Sequence, residues 1–261
     1  MFPSPPRNTF RYTYSWLLVA ALLFLPLLIW AAYDFMQSRE VNPVLAFFTG
    51  IFGLLLAYAW WWTRTRVTIH DEGISYKSPF SQKDLHWSEI TETRYGQRPI
   101  NVGVHFGLIG WLIAAAAGSN NKMARTLELI GPQKIVVNSN IRDMEEVVRQ
   151  ALANVNPRLR QEAARMLNSG GTVAFGKISL SPGGVIWRSK DPIPYAAIVK
   201  CKIDGSTLRV KADGKWLDNI AITAKKVPNI FILLDLIEEK RTTASPRPAA
   251  SMAGSSVNQY L

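Results

Sequence analysis

The chain is poor in the residues that most often mark chemistry. Its 261 residues include one cysteine and three histidines. A single cysteine excludes a disulfide framework and a cysteine-based zinc site within one chain. His70, His86 and His105 have no other His, Cys or carboxylate at a recognisable ligand spacing, so neither a zinc nor an iron motif can be drawn. There is no glycine-rich strand-to-helix phosphate loop, because FGLIGWL lacks the lysine and the context, and no serine-nucleophile signature. The paired acids Glu145 and Glu146 fall on the solvated face of an amphipathic helix. Cys201 lies in AAIVKCKID, where Ala197, Val199, Cys201 and Ile203 alternate with Ile198, Lys200 and Lys202. That alternation predicts a half-buried strand with a structural thiol. The expectation is a protein that is not an enzyme and needs no cofactor.

Negative charge is also scarce. Thirty lysines and arginines face nineteen acids, for a net charge of +11. The excess is spread over the whole chain, whereas a nucleic-acid protein concentrates it in one stripe with interleaved aromatics. Nucleic acid is therefore not an expected partner. A diffuse excess fits an anionic lipid surface, where each basic residue held close gains about 1 kcal/mol.

Apolar runs are plentiful. Residues 16 to 33, WLLVAALLFLPLLIWAAY, and 43 to 62, PVLAFFTGIFGLLLAYAWWW, carry no charge. At about 1.5 Å per residue each predicts a helix able to cross roughly 30 Å of hydrocarbon. Trp16, Trp30, Trp60, Trp61 and Trp62 sit at the run ends, where indoles favour the headgroup layer. A cleaved signal peptide is the competing reading of the first run, but no small-residue cleavage site follows it. Arg7, Arg11, Arg64 and Arg66 flank the pair, which predicts a multi-pass inner-membrane protein with both termini cytoplasmic. Pro26 predicts a kink in the first helix.

Beyond residue 64 the pattern alternates and repeats. RVTIHDEGISYKS and GKISLSPGGVIWRS both predict hairpins, with Leu180, Gly184, Val185 and Trp187 falling on Ile69, Gly73, Ile74 and Tyr76. Each glycine is expected to supply the positive φ of a tight turn. DLHWSEIT and PIPYAAIV follow in turn, Leu85, Trp87 and Ile90 matching Ile193, Tyr195 and Ile198. Further hairpins are predicted around Gly131 and Pro132 and around Asp213 and Gly214. Helices close each unit, one along Ile141, Met144, Val147, Val148, Ala151 and Leu152, the other along IFILLDLIEEK with Asn229 as its cap.

The organisation expected is a segment 1–15, a two-helix transmembrane hairpin 16–62, a first unit 64–155, a connecting helix 156–171, a second unit 172–240 and a disordered tail 241–261. Asn156, Pro157, Gly170 and Gly171 supply the start and stop of the connector. The fold class expected is α+β.

The strands around DEG, the phrase LHWSEIT, the second copy FGKISLSPGGVIW with PIPYAAIV, and VPNIFILLDLI resemble the bacterial PH-like (pleckstrin-homology-like) domain membrane proteins over roughly residues 10 to 240. The resemblance implies two amino-terminal spans before tandem PH-like domains, each a bent antiparallel sheet or partial barrel closed by a C-terminal helix. It implies no established chemistry. Eukaryotic relatives that bind phosphoinositides carry a basic cluster between the first two strands, and here those turns read HDEG and SPGG.

The two units differ by an uncharged insertion at 102–118 in the first. It reads as a third span, as core filler, or as a segment dipping into lipid, and the last is the reading adopted, through Phe106, Leu108, Trp111 and Leu112 together with Trp60, Trp61 and Trp62. Lys200, Lys202, Arg209, Lys211 and Lys215 are the candidates for a lipid headgroup or partner site. The function expected is that of a membrane-anchored binding or scaffold protein, its partners the bilayer and a protein or a second copy of itself. The alternative is an accessory subunit of a membrane enzyme or transporter complex.

Overall fold

A computed structural model describes residues 2, 4–12, 15–38, 43–99, 123–188, 190–214 and 218–244. The chain divides into two compact units, Met1–Asp84 with Asn140–Asp143, and Leu85–Ser139 with Met144–Leu261.

The first unit starts with a strand that the sequence did not suggest. β1 (Asn8–Arg11) pairs antiparallel with β2 (Arg66–Ile69), setting Phe10 opposite Val67 and Arg11 opposite Arg66. β3 (Gly73–Lys77) continues the sheet, with Val67 opposite Tyr76 and Arg66 opposite Lys77, and β4 (Gln82–His86) completes the order β1-β2-β3-β4. Val67, Ile69 and Ile74 are buried, as strict alternation in a half-covered strand requires. The His70 amide donates to the Gly73 carbonyl at 2.8 Å, closing the HDEG turn.

Between β1 and β2 run α1 (Ser15–Ser38) and α2 (Pro43–Trp62). Phe24 and Phe52 stack at 5.3 Å, and Phe24 and Leu45 are buried, while Leu54, Phe47, Ile29 and Trp30 are exposed. The helices form, but the spanning hairpin is corrected. Among the described residues no helix is long and apolar enough to cross a membrane. The multi-pass inner-membrane placement and the cytoplasmic termini fall with the hairpin.

The second unit holds three small sheets. Leu85, Trp87 and Ile90 are buried around a 3-10 turn at Trp87–Glu89, which leads to β5 (Glu92–Pro99), β6 (Met123–Ile130) and β7 (Lys134–Asn138). A second meander, β8 (Val173–Phe175), β9 (Ile178–Ser181) and β10 (Gly184–Trp187), has the order β10-β9-β8. A 3-10 turn at Tyr195–Ala197 then leads to β11 (Ile198–Asp204), β12 (Thr207–Ala212) and β13 (Ile220–Thr223). DLHWSEIT and PIPYAAIV thus make the same entry into a meander. Trp87 and Tyr195 lie in the core, and the Tyr195 hydroxyl donates to the Ser181 carbonyl at 2.8 Å. Burial pushes that phenol up to about 12.

The tandem PH-like arrangement is corrected as well. Among the described residues the chain forms a mixed α/β structure of four small antiparallel sheets and four helices. The described strands pair only within their own meander, so successive meanders stay separate sheets.

α3 (Met144–Asn168) runs straight through the expected break at Asn156 and Pro157. Proline removes one helical hydrogen bond, but Val155, Leu159, Ala163 and Leu167 continue the buried stripe begun by Val147, Val148, Ala151 and Leu152. Continuous burial outweighs the local stop signal.

α4 (Ile230–Ala244) buries seven residues and extends into the expected tail, so Arg241 to Ala244 are helical. Asn229 does not cap it through its side chain. At φ 50 its Oδ1 accepts from the Thr93 amide at 2.7 Å and the Thr93 hydroxyl at 3.2 Å, while its own amide donates to the Thr93 carbonyl at 2.7 Å. Asparagine tolerates this left-handed conformation, and here it fastens the start of α4 to β5.

Candidate functional site

The lysine face predicted on the second unit is assembled by pairing. β11 and β12 set Lys200 opposite Lys211 and Lys202 opposite Arg209. A bulge between Ile198 and Lys200 makes this alignment. It leaves Ile198 buried and Val199 exposed, so the simple alternation expected from AAIVKCKID is broken at that point. Lys200, Lys202 and Arg209 are exposed and Lys211 is half-buried. Arg209 is neutralised by Asp218 at 2.7 Å and Asp204 at 3.4 Å. Lys200, Lys202 and Lys211 have no ion pair among the described residues, and Lys215 lies outside them. Cys201 sits between the two lysines of β11. Burial pushes its thiol up to about 12, the Glu238 charge adds to the rise and Arg241 opposes it. A thiol so poised is not a nucleophile at neutral pH.

A second basic site lies on the β8-β9-β10 sheet, where sequence reasoning placed none. A cleft of about 690 Å³ is lined by Thr172, Gly176, Lys177, Ser179, Ile186, Arg188 and Lys190. Strand pairing explains the assembly, since Ser179 stands opposite Ile186 and Trp187 opposite Ile178. Gly176 turns the chain at φ 68, where an added Cβ would come within 3.1 Å of Pro228. Arg188 leaves β10 at φ 51. Its amide donates to the Lys177 carbonyl at 3.2 Å, and its guanidinium lies 4.8 Å from the centre of the Trp187 ring. The Lys190 amide closes the turn on the Trp187 carbonyl at 3.1 Å. No carboxylate is among the described residues lining the cleft. The available signal was the repeat itself, which aligns Lys177 with Arg66 and Arg188 with Lys77.

Other charged groups are consumed by the fold. Glu128 is 4% exposed and is held by Lys225 at 2.6 Å and Lys134 at 2.7 Å. Burial alone would raise its carboxyl, but the two ammonium groups outweigh burial and hold it below the usual glutamate value. Gly96 makes room for Lys225, whose Cβ lies 3.2 Å from where a glycine Cβ would stand. Both lysines are thereby committed to Glu128. Among the described residues no group of three His, Cys, Asp or Glu is placed to hold a metal.

Of the residues expected to contact membrane, Trp60 and Trp61 end α2 and are exposed. The Arg64 guanidinium lies over both rings, at 5.0 and 5.4 Å, and Trp61 stacks with Phe80 at 6.4 Å. Phe106, Leu108, Trp111 and Leu112, with the whole 102–118 insertion, lie outside the described residues, as does the Trp62 side chain.

The model of a family of unknown function (DUF6585) matches residues 5–246. No curated protein and no solved structure matches the chain. The similarity therefore supports membership of this family and carries no PH-like assignment.

Proposed function

We propose that this chain, which belongs to that family of unknown function, is a binding or scaffold protein that docks an anionic lipid surface through the lysines of β11 and β12. The supporting observation is the in-register opposition of Lys200 to Lys211 and of Lys202 to Arg209, with carboxylates committed to Arg209 alone. Like charges set directly opposite one another weaken a sheet by a few tenths to about 1 kcal/mol. A face that keeps them is best satisfied by negative charge arriving from outside. Lysine is a compact charge on a flexible stem and is depleted at protein–protein interfaces, so three ammonium groups suit a field of headgroups better than a fitted protein surface.

At about 1 kcal/mol per basic residue held near an anionic surface, Lys200, Lys202 and Lys211 supply about 3 kcal/mol. Cosedimentation of the full chain with phosphatidylcholine vesicles, with and without phosphatidylserine, tests this. The triple variant K200E/K202E/K211E is expected to bind the phosphatidylserine vesicles about 100-fold more weakly. Binding equal to that of the native chain overturns the reading.

A further inference from the structure

We propose that the cleft lined by Lys177, Arg188 and Lys190 on the β8-β9-β10 sheet is a binding site for a phosphomonoester group. The inference stands apart from the lysine face, since no residue is shared.

Three features select the ligand class. The first is charge: three cations and the hydroxyls of Ser179 and Thr172 line the cleft, and none of the cations has an ion pair among the described residues. A phosphomonoester carries close to two negative charges near neutral pH and three acceptor oxygens, matching cations and hydroxyl donors together. A carboxylate ligand would leave part of that donor set unused. The second feature is preparation. Arginine at φ 51 is a conformation that L residues rarely adopt, and backbone strain of this kind concentrates at ligand sites. The Trp187 ring and the bond from the Arg188 amide to the Lys177 carbonyl brace the fork before any ligand arrives. A braced guanidinium loses less freedom on binding and can meet two phosphate oxygens at once. The third feature is size and floor. About 690 Å³ exceeds what one phosphate fills and falls in the range of small-molecule sites, and Ile186 gives the rest of the ligand an apolar contact.

The site is at the far end of the hairpin from the Ser181–Gly184 turn, which carries no charge. Free phosphomonoesters and phosphomonoester lipid headgroups present the same chemistry, and the experiment separates them.

Arg188→Gly is the informative variant. Glycine takes positive φ without strain, so the backbone is kept while the guanidinium is removed. Calorimetric titration of the full chain with glycerol 3-phosphate is one arm. Cosedimentation with phosphatidylcholine vesicles containing phosphatidate is the other, done in the K200E/K202E/K211E background so that the lysine face contributes nothing. Saturable binding of glycerol 3-phosphate, weakened about tenfold or more by R188G, supports the site with a free ligand. R188G-sensitive binding confined to phosphatidate vesicles supports it with a lipid ligand. Absence of saturable binding in both arms, or binding that R188G leaves unchanged, overturns the proposal.

Discussion

The first three strands of the sheet that opens the first unit and the first meander after α3 are laid out alike. In one, Phe10 stands opposite Val67 and Val67 opposite Tyr76; in the other, Phe175 stands opposite Ile178 and Ile178 opposite Trp187. The joint between the first two strands differs. From Phe175 to Ile178 the chain turns through Gly176 and Lys177 alone, whereas the matching joint holds α1 and α2. The Tyr12 amide still reaches the Thr65 carbonyl at 3.3 Å, so the sheet closes around the insertion as though it were a turn. Two helices occupy the place of a two-residue turn.

The same comparison explains the cleft. Arg11, Arg66 and Lys77 form an exposed row across β1, β2 and β3. Lys177 and Arg188 fall at the equivalents of Arg66 and Lys77. Lys77 ends β3 in ordinary strand conformation, while Arg188 leaves β10 in the left-handed region. One sheet presents its cations as a flat row and the other curls them around a concavity.

The hairpin turns should break this likeness most severely. The sequence predicts positive φ at both Gly73 and Gly184, yet only Gly184 adopts it, at 147°. An added Cβ there would fall on the Ile193 carbonyl oxygen. Both Ile193 backbone bonds to Val185, at 2.8 and 2.9 Å, would have to shift. Gly184→Ala is expected to destabilise by about 3 kcal/mol or more, through left-handed strain added to overpacking. Gly73→Ala is expected to cost less, because Gly73 has no positive φ to strain. Urea denaturation of the two variants measures the difference, and equal losses would remove the asymmetry.

A smaller and sharper test replaces the two matched cations. Arg188→Gly relieves a left-handed residue, worth about 1–2 kcal/mol, and gives up a cation–π contact worth about 0.5–1 kcal/mol. The expected net gain is about 0.5 kcal/mol. Lys77→Gly puts glycine at the end of an ordinary strand and is expected to lose about 0.5–1 kcal/mol. Opposite signs in paired thermal melts would confirm that matched positions have taken different backbones.

What the sequence shows of this depends on how local each signal is. The hairpins of 66–77 and 178–187 and the two 3-10 entries are legible because their spacing is short and period-two alternation survives in them. β1 is not, because its partner lies beyond α1 and α2, and no local pattern marks Asn8–Arg11 as a strand. Pro157 and Asn156 form a convincing local stop, and a buried stripe spanning both sides overrides it. The alternation through Cys201 is read one residue out because the bulge at Val199 has no signature of its own. Lys177, Arg188 and Lys190 look unrelated in sequence, and only strand pairing brings them to one cleft. Lys200, Lys202, Arg209 and Lys211 are legible because two adjacent strands carry them at alternate positions. The spanning helices fail for a different reason: an uncharged run gives the helix, but among the described residues neither helix is both long and apolar enough to span.

The smallest effect separates the outward faces of the two sheets. Ser75 in β3 corresponds to Ile186 in β10. The Ser75 hydroxyl donates to Asp84 Oδ1 at 2.7 Å, and Gln82 donates to Oδ2 at 3.3 Å. Partial burial pushes the Asp84 carboxyl up, but these two bonds, together with the positive amino terminus, outweigh it and hold the group below the usual aspartate value. A carboxyl depressed in the folded state adds stability above its unfolded value and loses it as pH falls through the folded value. Because Asp84 is only half-buried and water screens it, the contribution near neutral pH is about 0.5 kcal/mol or less. Asp84→Asn should therefore cost that amount at pH 7, with the gap closing as the pH falls below about 3.9. Ser75→Ile, which gives the first sheet the residue of the second, should remove part of the same pH dependence, and the double variant should match Asp84→Asn. A double-mutant cycle measured at pH 7 and pH 3 decides it: a Ser75→Ile variant that keeps the full pH dependence would mean that Asp84 is held by something other than the contact distinguishing the two sheets.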